Sequence, residues 1–204
     1  DEVLQSPRLG RYADAGERLK GMGLLYPCRC TRAEIAQVAR EIGPDGPIYP
    51  GTRRGRAIET GDGVSWRLDM GKAMQRAGPL LWEDRIAGTQ QAHPQNFGDV
   101  VLLRKDAPAS YHLAATLDDA ADARPLRARQ QWRLQALLGL PVPVWHHHPL
   151  LLDEGGKKLA KRRNSPSLAD RRAAGEDGLA LAALLRGGNF PAGISLSGPL
   201  HRAP

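Results

Sequence analysis

Apolar residues fall in short runs along the chain, and their spacing predicts short strands. Val64, Trp66 and Leu68 alternate with polar residues, which is the pattern of a strand with one exposed face. Residues 100–103 and 150–152 are continuously apolar, which favours strands that are covered on both faces. Two further strands are predicted at residues 24–26 and 80–82.

Apolar residues at helical spacing predict helices at residues 6–21, 32–42, 126–138 and 179–185. Ser6-Pro7 is a favourable start for the first of these helices, and Thr31 with Glu34 is a capping-box signature at the start of the second. Residues 43–55 are rich in glycine and proline and are predicted to form a loop. The tail after Pro191 has little periodicity, which predicts disorder.

Length and charge restrict the class of protein. A chain of 204 residues suits one domain, or one domain with a small insertion. The net charge of +7 favours an anionic partner, most commonly nucleic acid, and leaves open a basic protein without one. No run approaches the ~18 apolar residues of a membrane span, and the chain shows no signal peptide. We therefore expect a cytoplasmic monomer that does not act at a membrane.

Residues 145–163 combine an apolar run, an acidic glycine turn and a basic segment. Gly155-Gly156 allows a tight turn, because glycine has no Cβ penalty. If residues 150–152 form a strand of a parallel sheet, the lysines that follow lie at its carboxyl end, where anionic ligands bind in open α/β folds. Lys158 and Lys161 are therefore candidates for stabilising charge on a polyphosphate. A solvated basic loop without this role stays open as an alternative.

The order of these pieces resembles the lysine loop, of the KMSKS type, of class I aminoacyl-tRNA synthetases. Residues 158–162 read KLAKR, which is similar to the KLSKS form of the glutamate branch. Other segments resemble the amino-acid pocket of that branch (DVVLLRKD at 99–106, SYHLA at 110–114, LDD at 117–119) and its small zinc insertion (YPCRCTR at 26–32, IYPGT at 48–52). Over about residues 1–185 the chain is similar to the glutamyl-queuosine tRNA(Asp) synthetases, the short paralogues of the glutamyl-tRNA synthetases.

The resemblance implies an α/β fold. It would be a partial Rossmann-like catalytic core of the class I synthetases, carrying a small zinc-ribbon-like insertion. On the family pattern, the core covers residues 1–27 and 86–165, the insertion covers residues 28–85, and a helical segment with a tail covers residues 166–204.

The resemblance also implies a ligase reaction and its site residues. ATP and glutamate would form glutamyl-adenylate and pyrophosphate, and the glutamate would then pass to queuosine in the anticodon of tRNA(Asp). Lys158 and Lys161 match the catalytic lysines, and Lys161 matches the lysine that binds ATP. Tyr111 matches a tyrosine that contacts glutamate, although a core tyrosine stays open as an alternative. Arg124 is the candidate for binding the substrate carboxylate, and arginines of residues 124–133 are candidates for RNA phosphates.

Two cysteines and a tyrosine match metal ligands of the family. Cys28, Cys30 and Tyr49 are the candidate zinc ligands, since thiolates bind zinc strongly in tetrahedral sites. The family's fourth ligand is a cysteine, and Arg53 stands at that position here. Bound zinc and two reduced cysteines without a metal therefore both stay open.

Two departures from the family pattern bear on activity. The family's opening strand, its ATP-binding loop of the HIGH type, and a substrate-reading arginine and glutamate precede the segment that Asp1 begins. The segment after Asp119 is also shorter than in the family, and Ala160 replaces a serine of the lysine loop. We therefore keep four alternatives: a glutamyl-queuosine ligase, a fragment of a glutamyl-tRNA synthetase, a tRNA-binding remnant without catalysis, and a structural zinc-ribbon protein that acts through interactions.

Overall fold

A computed structural model of the chain describes residues 4–43, 46–58, 61, 63–122, 131–142 and 144–198. Its α-helices are α1 (Leu9–Gly21), α2 (Arg32–Val38), α3 (Met70–Ala77), α4 (Tyr111–Asp122), α5 (Gln131–Leu138), α6 (Leu168–Ala173) and α7 (Gly178–Arg186). Its strands are β1 (Leu25–Cys28), β2 (Ile42–Gly43), β3 (Gly46–Pro47), β4 (Ser65–Leu68), β5 (Leu81–Asp84), β6 (Gly88–Gln91), β7 (Val101–Leu103), β8 (Leu151–Leu152) and β9 (Ser195–Leu196). The chain divides into two compact units, Asp1–Trp145 and His146–Pro204.

The first unit is organised around the three-stranded sheet β1-β4-β7. Both pairings are antiparallel, with Leu25 opposite Leu68 and Trp66 opposite Leu103. The named sheets of the described residues are likewise antiparallel, so the expected parallel sheet is not what these strands form. Sequence neighbours joined by short turns, such as β5 and β6, pair most easily in this direction.

Helices α1, α3, α4 and α5 supply most of the apolar core around this sheet. The core contains the fully buried side chains of Tyr12, Leu19, Leu68, Leu102 and Leu113. At Gly16 a Cβ atom would lie 2.6 Å from the Leu103 side chain, so α1 packs closely on β7 and an alanine at this position would force Leu103 to shift. The mixed α/β architecture predicted from the sequence is confirmed.

The first helix begins differently from the prediction. Residues Ser6–Arg8 form a 3-10 helix, so the cap positions fall at Gln5 and Arg8 and not at Ser6, and neither of these two side chains makes a capping hydrogen bond. Helix α1 then follows and ends at Gly21, as the glycines predicted. The predicted second helix is shorter than expected, because α2 ends at Val38, but its capping box between Thr31 and Glu34 is confirmed.

Strand β4 does not expose alternate residues as its pattern suggested. Arg67 is only 8% exposed, although it is a charged residue on the side predicted to face solvent. Its guanidinium donates to the carbonyl oxygen of Asp99 at 2.9 Å and stacks over the ring of Tyr49, 4.2 Å from the ring centroid. An arginine that is hydrogen-bonded and stacked on an aromatic ring can be buried. A pattern that only separates apolar from polar residues does not predict this.

Asp99 forms a buried hydrogen-bond hub beside this sheet. Its carboxylate accepts from the Tyr26 hydroxyl at 2.5 Å, from Arg54 Nη2 at 2.6 Å and from the Met70 backbone N–H at 3.0 Å. Burial, followed by the hydrogen bond to Asp99, strongly raises the pKa of Tyr26. The hub thus joins β1, the segment that carries Arg54, and the start of α3.

The second unit begins with β8, whose partner is β9 from near the carboxyl end of the described residues. Leu150 and Leu151 are each 38% exposed, so the prediction of a strand covered on both faces is wrong. The tail after Pro191 was predicted to be disordered, and this is wrong for residues 195–196, which form β9. The antiparallel partner supplies the hydrogen bonds that the short β8 needs.

The predicted domain boundaries stay a prediction. Strand β4, which falls within residues 28–85, is the central strand of the sheet in the first unit. None of the helices among the described residues is long and apolar enough to cross a membrane.

Candidate functional site

The lysine segment is the second arm of a short hairpin. Leu159 N–H donates to the Leu151 carbonyl at 2.9 Å, and Asp153 N–H donates to the Lys157 carbonyl at 2.8 Å. The turn between the arms is closed by Gly156, whose φ is 71°, a conformation that glycine adopts without strain. Asp153 also accepts the Lys157 N–H on its side chain at 2.8 Å. The backbone of the segment is therefore fixed by hydrogen bonds to β8.

A 3-10 helix at Lys161–Arg163 follows the hairpin and holds Lys161 in place. It ends at Asn164, whose φ of 55° lies in the left-handed region that asparagine tolerates better than most residues. Ser165 then turns back, and its hydroxyl accepts the Ala160 N–H at 2.9 Å. Sequence reasoning missed Asn164 and Ser165; an asparagine directly after a basic run is the signal that points to such a turn.

Lys158 and Lys161 are both exposed, and Lys161 lines an open cavity of about 720 Å³. The other lining residues are Leu159, Ala160, Asn164, Ser165, Pro166, Ser167 and Asp170. Among the described residues, neither lysine forms an ion pair with a carboxylate. The ammonium groups are thus available to an anionic ligand, and the serine hydroxyls add hydrogen-bonding groups to the same wall.

Tyr111 is the first residue of α4 and is 64% exposed. A core tyrosine, one of the two roles considered for it, is therefore wrong. Its ring contacts His112 edge-on, with the centroids 6.2 Å apart. Tyr111 belongs to the first unit and the two lysines belong to the second. The other glutamate-binding candidate, Arg124, lies outside the described residues, as do the neighbouring arginine positions up to residue 130.

Asp118 lies within helix α4 and packs against the start of the chain. Its carboxylate accepts from the Tyr12 hydroxyl at 2.7 Å, from Arg8 at 3.0 Å and from Gln5 at 3.1 Å. Burial, followed by the hydrogen bond to Asp118, raises the pKa of Tyr12 to about 12. Asp118 thus joins α4 to α1, although the resemblance assigned it to an acidic pair beside the substrate pocket.

The candidate zinc ligands come together in a small second core. Cys28, Tyr49 and Ile35 are buried there, with Tyr26 beside them and Cys30 partly buried against them. The Sγ atoms of Cys28 and Cys30 each lie 3.5 Å from the Tyr49 hydroxyl. Burial of the Tyr49 phenol is the largest of the causes that strongly raise its pKa.

The surroundings of the Cys30 thiol shift its pKa. Its partial burial raises the pKa, but hydrogen bonds from Tyr49, Cys28 and Arg53 outweigh this and lower the pKa of Cys30 below its ordinary value. The hydrogen bond to Cys30 is likewise the first cause that raises the pKa of Arg53.

The donor set only partly fits a structural zinc site. With ordinary Zn–S and Zn–O bonds, a tetrahedral site has an S···O edge of about 3.5 Å, which matches the two observed sulfur–oxygen distances. A closed structural site needs four donors, however, and the described residues contain no group of three or more His, Cys, Asp or Glu side chains that could hold a metal. Position 53 carries an arginine, which offers a metal a positive charge instead of a ligand. The residues present therefore do not complete a zinc site.

Comparison with curated proteins gives consistent relatives. The chain is 40% identical over 197 residues to the glutamyl-Q tRNA(Asp) synthetase of Rhodobacter capsulatus, covering 84% of this chain and 70% of that protein. It is 39% identical to the enzyme of the same name from Nocardia farcinica, covering 90% and 61%, and 37% identical to that of Symbiobacterium thermophilum, covering 84% and 57%. The chain thus spans more than half, but not all, of the length of these relatives.

Solved structures with a similar fold are glutamate-tRNA synthetases. That of Elizabethkingia anophelis superposes with a TM-score of 0.55 at 22% identity, covering 84% of this chain and 38% of that chain. A glutamate tRNA ligase of Elizabethkingia meningosepticum, in complex with its amino acid, gives 0.55 at 21% identity, covering 86% and 39%. These two likenesses show the fold alone.

No family model matches the chain. The Rhodobacter relative nevertheless exceeds 30% identity over more than two thirds of its own length. This chain belongs to the glutamyl-Q tRNA(Asp) synthetase family.

Proposed function

We propose that the chain takes part in ATP-dependent attachment of glutamate to queuosine in the anticodon of tRNA(Asp). The observation that carries this proposal is the similarity to curated relatives of that name, 40% identical in the first case. The hairpin that carries Lys158 and Lys161 supports it, because both lysines are exposed on a backbone held by hydrogen bonds.

In the proposed reaction a carboxylate oxygen of glutamate bonds to the α-phosphorus of ATP and pyrophosphate leaves. A queuosine hydroxyl then displaces AMP from the adenylate and forms the ester. Charge accumulates on the phosphates in the first step, and the role proposed for Lys161 is to stabilise it, with Lys158 assisting. The exposed ring of Tyr111 is proposed to contact the glutamate, and Arg124 to bind its carboxylate.

The hydroxyl of Ser165 compensates in part for the alanine at position 160. Its oxygen lies 2.9 Å from the Ala160 nitrogen, so a hydroxyl is present next to the place where the lysine loop of the family has a serine. The Ser165 oxygen accepts from the backbone, which leaves its proton available to a phosphate oxygen. ATP, glutamate and tRNA(Asp) are the proposed ligands, and the cytoplasm, where tRNA is used, is the proposed location.

The test is transfer of labelled glutamate to two samples of tRNA(Asp), one bearing queuosine and the other lacking it. We expect transfer only to the first sample, together with ATP–pyrophosphate exchange that requires glutamate. Exchange with transfer to tRNA(Glu) instead would favour the glutamyl-tRNA synthetase alternative. Binding of tRNA(Asp) without exchange would contradict the ligase and favour the non-catalytic remnant.

A further inference from the structure

The phenol oxygen of Tyr49 is at the centre of the cysteine cluster. Four groups surround it: the two thiols at 3.5 Å, the Thr52 hydroxyl at 3.0 Å and the Arg53 backbone N–H at 3.1 Å. A tyrosine hydroxyl has one proton to give and two lone pairs that accept. The Arg53 N–H and the neighbouring hydroxyl and thiols therefore satisfy its hydrogen-bonding capacity within the protein.

The two thiols are also satisfied within the cluster. Cys28 is buried, and its sulfur accepts the Cys30 N–H at 3.4 Å in addition to its contact with Tyr49. Cys30 contacts the Tyr49 hydroxyl from its own side, and Arg53 is held to the same hydroxyl through its backbone N–H. Arginine keeps its positive charge under all ordinary conditions, so position 53 brings a permanent cation to the neighbourhood of the thiols.

Charge distinguishes this cluster from one built for zinc. A zinc ion with two thiolates has the negative charge of its ligands facing the metal, and a guanidinium at the fourth position repels the metal. The guanidinium also has no lone pair to offer a metal, because its five N–H groups only donate. Arg53 thus opposes a bound cation and cannot complete its set of ligands.

We propose that this cluster is a metal-free form of a zinc site, in which the Tyr49 hydroxyl joins the two thiols and the arginine at position 53 keeps a metal out. The proposal does not depend on the ligase activity, because it concerns only how residues 28–53 hold their structure. It also implies that position 53 alone decides whether the site binds zinc.

The test replaces Arg53 by a thiol donor and by a matched residue that is a poor zinc ligand. Arg53→Cys supplies the fourth ligand from a backbone whose nitrogen already lies 3.1 Å from the Tyr49 hydroxyl. We expect Arg53→Cys to purify with about one zinc per chain, as a closed site with three thiolates does. Arg53→Ser and the wild-type chain should contain only traces. Removal of zinc by a chelator should lower the Tm of Arg53→Cys and leave the Tm of the wild-type chain unchanged.

Two results would overturn the proposal. One is a wild-type chain that holds about one zinc per molecule and loses thermal stability when a chelator removes it. The other is a folded Arg53→Cys chain that binds no more zinc than Arg53→Ser. If Arg53→Cys does not fold, the metal content and chelator response of the wild-type chain decide the matter alone.

Discussion

At the scale of single residues, Asp99 connects more of the first unit than the residues around it in the sequence suggest. It lies in the loop just before β7, and in the sequence it is the first residue of a segment assigned to substrate binding by resemblance. Its carboxylate is instead wholly buried and receives hydrogen bonds from three separate parts of the first unit. A buried carboxylate destabilises the fold unless it is paired and hydrogen-bonded, so the position of Asp99 depends on these partners.

Replacing Asp99 by asparagine should destabilise the first unit. The change removes the charge opposite Arg54 and places an NH₂ group or a weaker acceptor among donors, which leaves buried groups unsatisfied. We expect the free energy of unfolding in urea to fall by roughly 2–4 kcal/mol, at the lower end of broken buried pairs because Arg54 is 45% exposed.

The matched control for this change is Asp106→Asn. Asp106 forms an equally short ion pair with Arg104, at 2.6 Å, but both side chains are more than half exposed. An exposed pair of this kind contributes little to stability, so the control should unfold as the wild type does. Equal effects of the two substitutions would show that the burial of Asp99 is not what matters.

The sequence and its resemblance to a family predicted some single positions correctly and missed others. The convergence of Cys28, Cys30 and Tyr49 was predicted from resemblance, and the structure brings the three together. The burial of Arg67 was missed, because its partner Asp99 is distant in sequence and nothing local indicates the pairing. Long-range hydrogen bonds of this kind become visible only when the strands are in register.

At the scale of elements, helices α1 and α4 are joined by the hydrogen bond from Tyr12 to Asp118. Both helices have an apolar face that the sequence shows, but the polar contact between them could not be predicted from periodicity. The acidic pair at 118–119 was interpreted through its resemblance to a pocket. Its position in the interior of a helix reflects the continuous helical segment that begins at Tyr111.

The Tyr12–Asp118 contact should make stability fall in alkaline solution. The pKa of Tyr12 rises from 10.0 in the unfolded chain to about 12 in the folded protein, chiefly because of burial. The protonated phenol is therefore favoured by folding. Its contribution is fully present below pH 10 and is lost as the pH rises through about 12. We expect the free energy of unfolding to decline across this window.

Comparison with Tyr12→Phe isolates this effect from other groups that titrate in the same range. The variant lacks the ionising hydroxyl, so the difference in unfolding free energy between the two proteins should shrink as the pH rises from 10.0 to about 12. A constant difference across that window would contradict a raised pKa for Tyr12. Urea unfolding followed by circular dichroism gives both curves.

Short strands were the elements least accessible from the sequence. The apolar run at 150–152 has the composition of a buried strand, yet β8 is partly exposed and pairs with a two-residue strand from the tail. No periodicity marks Ser195–Leu196 as a strand, since two residues are too few to show one. The sequence predicted that the lysines follow the carboxyl end of this strand. In the structure their segment turns back and is hydrogen-bonded to the strand.

At the scale of the whole molecule, the candidate site residues are divided between two compact units. Tyr111 belongs to the first unit, and the lysine hairpin belongs to the second. The sequence, through resemblance, predicted which residues to consider for the reaction. Action on one substrate predicts that substitutions in both units affect the same kinetic step.

Substitution of the lysines provides this measurement. Lys161→Ala should lower the rate of glutamate-dependent ATP–pyrophosphate exchange by about 10²-fold, as removal of one group that stabilises transition-state charge does. Lys158→Ala should have a smaller effect in the same direction. Tyr111→Phe should act mainly on the KM for glutamate, because its proposed contact is with that substrate.

Lys157→Ala is the matched control, since Lys157 is an exposed lysine of the same hairpin whose backbone, not its side chain, closes the turn. It should leave the exchange rate unchanged. Equal losses in Lys157→Ala and Lys161→Ala would mean that the hairpin contributes only general positive charge. The specific role proposed for Lys161 would then be wrong.

The pairing of β8 with β9 gives the carboxyl-terminal residues an influence on the lysine hairpin. Ser197 both donates its backbone N–H to the Leu150 carbonyl and accepts the Leu150 N–H on its hydroxyl, each at 2.9 Å. A stop codon placed before Ser195 would remove β9, and a bulky affinity tag fused close behind Ser195 would disturb it. Either change would therefore affect β8, the strand to which the lysine segment is hydrogen-bonded. Recombinant forms of this protein are better labelled at a site remote from that end.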